Sequence, residues 1–99
     1  MAKKTKSRAV LITTEHRGVF YGQSSDPLES VTFRLDGFRN CIYWDKSIGG
    51  VFGLAEKGPN DKCRIGSKTT GPGLFQKVTF AVEVTKEAAK AWESAASVS

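Results

Sequence analysis

Arg17, Arg39 and Arg64 are the side chains best suited to chemistry in this 99-residue chain. Arg17 precedes Gly18, Arg64 sits in Cys63-Arg64-Ile65-Gly66, and Arg39 opens the run Arg39-Asn40-Cys41-Ile42-Tyr43-Trp44. Arginine is the preferred fork for phosphate, and a neighbouring glycine lets backbone approach a ligand closely. Tyr43 shares strand parity with Arg39, and an aromatic ring beside a guanidinium suits stacking of a base with pairing of its phosphate. Arg17, Arg39, Asn40, Tyr43 and Arg64 therefore form the candidate ligand-binding set. A purely structural role competes at two of them: Tyr43 packed under a long loop, and Asn40 hydrogen-bonded if buried on an apolar face.

Catalysis is poorly supplied. His16 is the only histidine, and Glu15, its neighbour, faces the other way in an extended strand. No phosphate-loop or nucleophile-elbow motif occurs. A dyad of His16 with Cys41 or Cys63 has no support in the spacing. Two thiols 22 residues apart and one histidine do not make a four-ligand zinc site. The expectation is a non-enzyme with no metal and no cofactor. In a reducing compartment both cysteines stay reduced and act as small hydrophobes, unless the fold brings them together as a redox-sensitive pair.

The elements that must position these residues read mostly as strands. Ala9 to Gln23 is rich in β-branched and aromatic residues and is interrupted at Glu15-His16-Arg17-Gly18, reading as two strands or one bent strand. Val31, Phe33 and Leu35 alternate with polar residues, and Asp36-Gly37 then precedes an extended run from Phe38 to Trp44, which predicts a two-residue hairpin. Its apolar face would be Val31, Phe33, Leu35, Phe38, Ile42 and Trp44. That register also sets Arg34 opposite Arg39, either splayed into solvent or forming an anion notch. Ile48 to Ala55 reads as a further strand. Glu56 to Gly73 reads as a functional or mobile loop around a short extended piece, Lys62 to Ile65, and Leu74 to Val84 as the last strand. Thr85 caps a helix from Lys86 to Ala95 that packs through Ala88, Trp92 and Ala95. Five or six short antiparallel strands with glycine-rich turns point to a small, highly curved barrel or half-barrel, and the expected fold is a small antiparallel SH3-like barrel carrying one short C-terminal helix.

Charge is unevenly placed. Lys3, Lys4, Lys6 and Arg8 supply four of fifteen cations, leaving eleven against ten acids from Ala9 onward. The reading is a disordered basic arm over 1–8, either solubilising or weakly phosphate-binding, and a single near-neutral domain over 9–96. No apolar run has the length of a membrane span, and no signal peptide follows the basic start.

From about Ala9 to Trp92 the chain resembles an uncharacterised family of small proteins carried by tailed phages and prophages. The likeness is carried by Thr13-Thr14-Glu15-His16-Arg17-Gly18-Val19-Phe20, by Arg39-Asn40-Cys41-Ile42-Tyr43-Trp44, and by Glu83-Val84-Thr85 before a helix holding a tryptophan. It implies an accessory protein acting in the cytoplasm of an infected bacterium, and it implies no reaction. Two functions follow as expectations. One is binding of an anionic nucleotide-like ligand, as sequestration of a host-defence nucleotide signal or as single-stranded nucleic acid binding. The other is docking on a host protein, or a place as a minor virion component. An unpaired last strand leaves homo-oligomerisation open.

Overall fold

The computed structural model describes residues 7–15, 18–70 and 72–97. The expected break at 15–18 separates β1 (Arg8–Thr14) from β2 (Val19–Ser24), which pair antiparallel with Leu11 opposite Tyr21. Most of the expected basic arm lies outside the described residues. Arg8 does not belong to such an arm: it opens β1, and its guanidinium donates to the Ser24 and Asp26 carbonyls at 2.8 and 2.7 Å.

Asp36-Gly37 is no hairpin turn. β3 runs unbroken through it from Phe33 to Tyr43. A two-residue turn of the expected type needs positive φ at both central residues, and only Gly37 has it, at +57°. One left-handed glycine instead inserts an extra residue. Tyr21 pairs with Arg39 but Gln23 with Asp36, so the strand bulges opposite Gly22. Arg34 accordingly pairs with Leu74 and Arg39 with Tyr21, and the expected Arg34–Arg39 opposition does not form. Phe33, Leu35 and Phe38 still share the apolar side, while Val31 and Ile42, beyond its two ends, are 69% and 55% exposed.

Two further expectations fail for identifiable reasons. Ile48 to Ala55 is helical: a short 3-10 turn, Lys46–Ile48, leads into α1 (Gly50–Glu56). Gly49 and Gly50 take positive φ, and the Ile48 carbonyl lies where a Cβ on Gly53 would stand. Burial of Leu54 and Ala55 in the core outweighs the strand preference of Val51 and Phe52. The expected last strand divides at Gln76, the residue that interrupts its apolar alternation. Lys77 there takes φ +56°. β5 (Pro72–Phe75) pairs with β3, and β6 (Val78–Glu83) pairs with β1. The short extended piece in the long loop is β4 (Arg64–Ile65), paired with the end of β3.

The six antiparallel strands follow the order β4-β3-β2-β1-β6, with β5 also on β3. β5 and β6, two residues apart, carry the chain from β3 to β1, and the Val78 amide donates to the Val31 carbonyl just before β3 at 2.9 Å. Both faces of the sheet are covered, which is why Val10, Leu11 and Ile12 of β1 are all fully buried. One core gathers Leu11, Val19 and Tyr21 with Leu54 of α1 and Ala88 and Trp92 of α2 (Lys86–Ser94). The other gathers Val10, Ile12, Phe33, Leu35 and Val78, with the Phe20, Phe38 and Phe75 rings packed on it. The expected cap holds: the Thr85 hydroxyl accepts from the Ala88 amide at 3.0 Å, worth about 1 kcal/mol. Trp92 stacks on Tyr21 with ring centroids 5.1 Å apart, and its indole N–H donates to the Leu54 carbonyl at 3.1 Å.

Candidate functional site

The four described residues of the five expected ligand contacts separate into two environments. Arg17 lies outside the described residues, as does His16. Arg39 is interior, at 3% exposure. Its Nε donates to the Gly66 carbonyl at 2.8 Å, and Nη1 to the Trp92 and Ala95 carbonyls at 2.6 and 2.8 Å. Those last two oxygens end α2, where the helix dipole favours a cation. Arg39 thus locks the C-terminal helix and the loop after β4 onto β3, and its fork is not presented to solvent. This corrects its expected place among the ligand contacts. Parity placed it on an outer face, but helices cover that face.

Asn40, Tyr43 and Arg64 remain at the surface, all on the β3–β4 ladder. Tyr43 is 52% exposed, and Arg64 is its direct cross-strand partner. Such partners stand about 5 Å apart at Cβ. The ladder shifts register between Cys41 and Tyr43, so this pair sits at an irregular strand end. Asn40 is exposed two residues before Ile42, and its carbonyl accepts from the Gly66 amide at 2.9 Å.

Two cations near this end escaped the sequence reading. Lys46 is exposed in the 3-10 turn that follows Tyr43, and Lys62 is exposed two residues before Arg64. Lys62 lies near enough to Asp45 for its charge to help hold that carboxyl down, after the larger effect of hydrogen bonds from the Ser47 hydroxyl and amide. The end of β3 therefore presents an exposed ring beside Arg64, with exposed Lys46 and Lys62 next in the chain to the carboxylates of Asp45 and Asp61. Lys62 carried a signal in sequence, its place in the same short extended piece as Arg64. Lys46 carried none, because its position depends on a helix expected as a strand.

The thiols are half-buried against the helical core and unbridged. Burial, with the Cys63 thiol nearby, pushes the Cys41 thiol up to about 12. It is protonated at neutral pH and a poor nucleophile. Cys63 donates to Asn60 Oδ1 at 3.5 Å and lines a cavity of about 340 Å³ between the loop and α2, with Asp61, Ile65, Ala91 and Ala95. None of the described residues lining it is basic.

Residues 7–92 match the family described as Domain of unknown function (DUF6948). The chain belongs to this family. No curated protein and no solved structure matches it. The match begins just before β1 and ends at Trp92, so it takes in the whole sheet, α1, and α2 up to its buried tryptophan. Both the Tyr43–Arg64 pair and the buried Arg39 lie inside it. Among the described residues, no group of three or more His, Cys, Asp and Glu is arranged to hold a metal ion, and no helix is long and apolar enough to cross a membrane.

Proposed function

We propose that this protein is a non-enzymatic binding module that takes single-stranded nucleic acid on the β3–β4 end of its sheet. The carrying observation is the half-exposed Tyr43 ring set directly across from Arg64. A base stacks on the phenol while Arg64, with Lys62 and Lys46, follows the phosphates. Stacking of this kind tolerates any sequence and contributes about 1–3 kcal/mol per base. An open strand of nucleotides suits this surface better than a free mononucleotide. The cavity beside α2 lacks basic lining among the described residues. The likeness of Thr13–Phe20, Arg39–Trp44 and Glu83–Thr85 to small phage proteins supports a role as a phage accessory protein in the bacterial cytoplasm.

Fluorescence anisotropy with labelled single-stranded oligonucleotides tests the reading. Binding is expected to weaken steeply with salt. Tyr43→Ala should weaken it about tenfold or more, and Arg64→Ala should reduce the salt slope by about one. Absence of binding at low salt, or unchanged affinity in both variants, refutes it.

One observation favours docking on a host protein as a second reading. Ile42 adjoins Tyr43 and is 55% exposed, and tyrosine and arginine are enriched where proteins bind proteins. Capture of one specific host protein that Tyr43→Ala abolishes, without oligonucleotide binding, selects this reading.

A further inference from the structure

Both cysteines of the chain sit on the ladder that carries Tyr43 and Arg64, and neither has a part in the proposed surface. Cys41 precedes Tyr43 by two residues on β3, and Cys63 immediately precedes Arg64 of β4. Cys41 pairs across the ladder with Ile65, which is 1% exposed, so Cys41 takes the inner side. Tyr43 and Arg64, the next pair, are exposed. With the following residue the chain turns inward again, and Cys63 packs with Cys41 against the core of Leu11, Tyr21, Leu54 and Trp92. The two thiols are thus diagonal neighbours, close enough for the charge of Cys63 to act on Cys41.

Diagonal neighbours stand about 7–8 Å apart, whereas a disulfide spans about 4.4–6.8 Å between Cα atoms. Closure therefore takes about 1 Å of backbone movement. The ladder has its irregularity at this point: the register shifts between Cys41 and Tyr43, and β4 is only two residues long. The thiols also differ in access. Cys63 lines the cavity of about 340 Å³ beside α2, and Cys41 does not. Burial keeps Cys41 protonated, so an oxidant that enters the cavity meets Cys63 first.

We propose that Cys41 and Cys63 form an intramolecular disulfide when the protein meets a peroxide, with Cys63 as the attacked thiol and Cys41 as the resolving one. The Cys63 sulfur attacks one oxygen of hydrogen peroxide, the O–O bond breaks, and the other oxygen leaves as water with the Cys63 proton. Cys63 is then a sulfenic acid. The Cys41 sulfur attacks the Cys63 sulfur, an S–S bond replaces the S–O bond, and the hydroxyl leaves as water with the Cys41 proton. The two thiols together lose two electrons and two protons, and one peroxide becomes two waters. The bond ties β4 to β3 and fixes the separation of Tyr43 and Arg64. Its effect on binding rests on the nucleic-acid reading of that pair: affinity for single strands rises several-fold, because less freedom is lost on docking.

Treatment of the folded full chain with hydrogen peroxide, followed by alkylation and mass spectrometry, tests the bond without nucleic acid. The expected product is a monomer lighter by two hydrogens, with neither thiol alkylated and with tryptic peptides 40–46 and 63–64 joined. Dithiothreitol should restore both thiols. Cys41→Ser should strand the sulfenic acid on Cys63, where a cyclic diketone reagent captures it, and Cys41→Ala does the same should the serine variant not fold. A parent chain whose thiols both remain alkylated overturns the proposal. So does Cys63 oxidised to the sulfinic acid beside a free Cys41, or a disulfide found only between molecules. Anisotropy on the oxidised and reduced forms then separates the two readings. No oligonucleotide affinity in either form refutes the nucleic-acid surface and leaves the disulfide standing, whereas equal affinity in both refutes the coupling between them.

Discussion

Replacing Arg39 with methionine separates a structural guanidinium from a ligand-binding one. The substitution keeps an unbranched apolar stem and removes the fork. It takes the partner from three carbonyls, those of Gly66, Trp92 and Ala95. A buried acceptor left unpaired costs about 1–3 kcal/mol. The Trp92 and Gly66 bonds are fully buried, whereas the bond to Ala95 is only partly so. Water can satisfy the Ala95 carbonyl, so two lost partners set the magnitude, about 2–6 kcal/mol. A domain of this size has about 5–15 kcal/mol in total. At about 4–8 °C per kcal/mol, Tm should fall by about 8–48 °C. Urea unfolding followed by tryptophan fluorescence reads the loss directly, because Trp92 sits in the core that Arg39 closes. Arg39→Lys retains the charge but not the fork, and should lose about half as much. A methionine variant within about 0.5 kcal/mol of the parent that no longer binds oligonucleotide would refute the reasoning and return Arg39 to the ligand contacts.

Desolvation pushes the Glu93 carboxyl up, but hydrogen bonds from Lys68 and Tyr21 and the charges of Lys68 and Arg39 outweigh it and hold it below its ordinary 4.5. Its stabilisation is therefore present above pH 4.5 and is lost as pH falls through the depressed folded value. Denaturant midpoints should drop across that acid window, and Glu93→Gln should flatten the drop; an unchanged profile contradicts the network. Cys41, with its thiol near 12 through burial, should react with an aromatic disulfide reagent about a hundredfold more slowly in the native protein than in denaturant. Equal rates would place that thiol in solvent.

Local chemistry made part of this architecture legible without coordinates. The break between β1 and β2 follows from a glycine between two β-branched runs. The Thr85 cap follows from a hydroxyl placed before an alanine-rich segment carrying Glu87 in its first turn. Gln76 interrupted an apolar alternation, and the chain turns there. The site was readable only where exposure survives folding. Tyr43 and Arg64 stand together because a short extended piece returns beside the end of β3.

Composition and spacing by themselves determined a mostly β domain with a capped C-terminal helix. Tertiary structure alone decided whether Asp36-Gly37 turns or bulges, whether Ile48 to Ala55 is strand or helix, and which arginine is interior. Each depends on what lies across from the segment: a paired strand on both sides of β3, a core waiting for Leu54, and the carbonyl end of α2 above Arg39. Strand parity assigns a residue to one of two faces, and only packing decides which faces meet water.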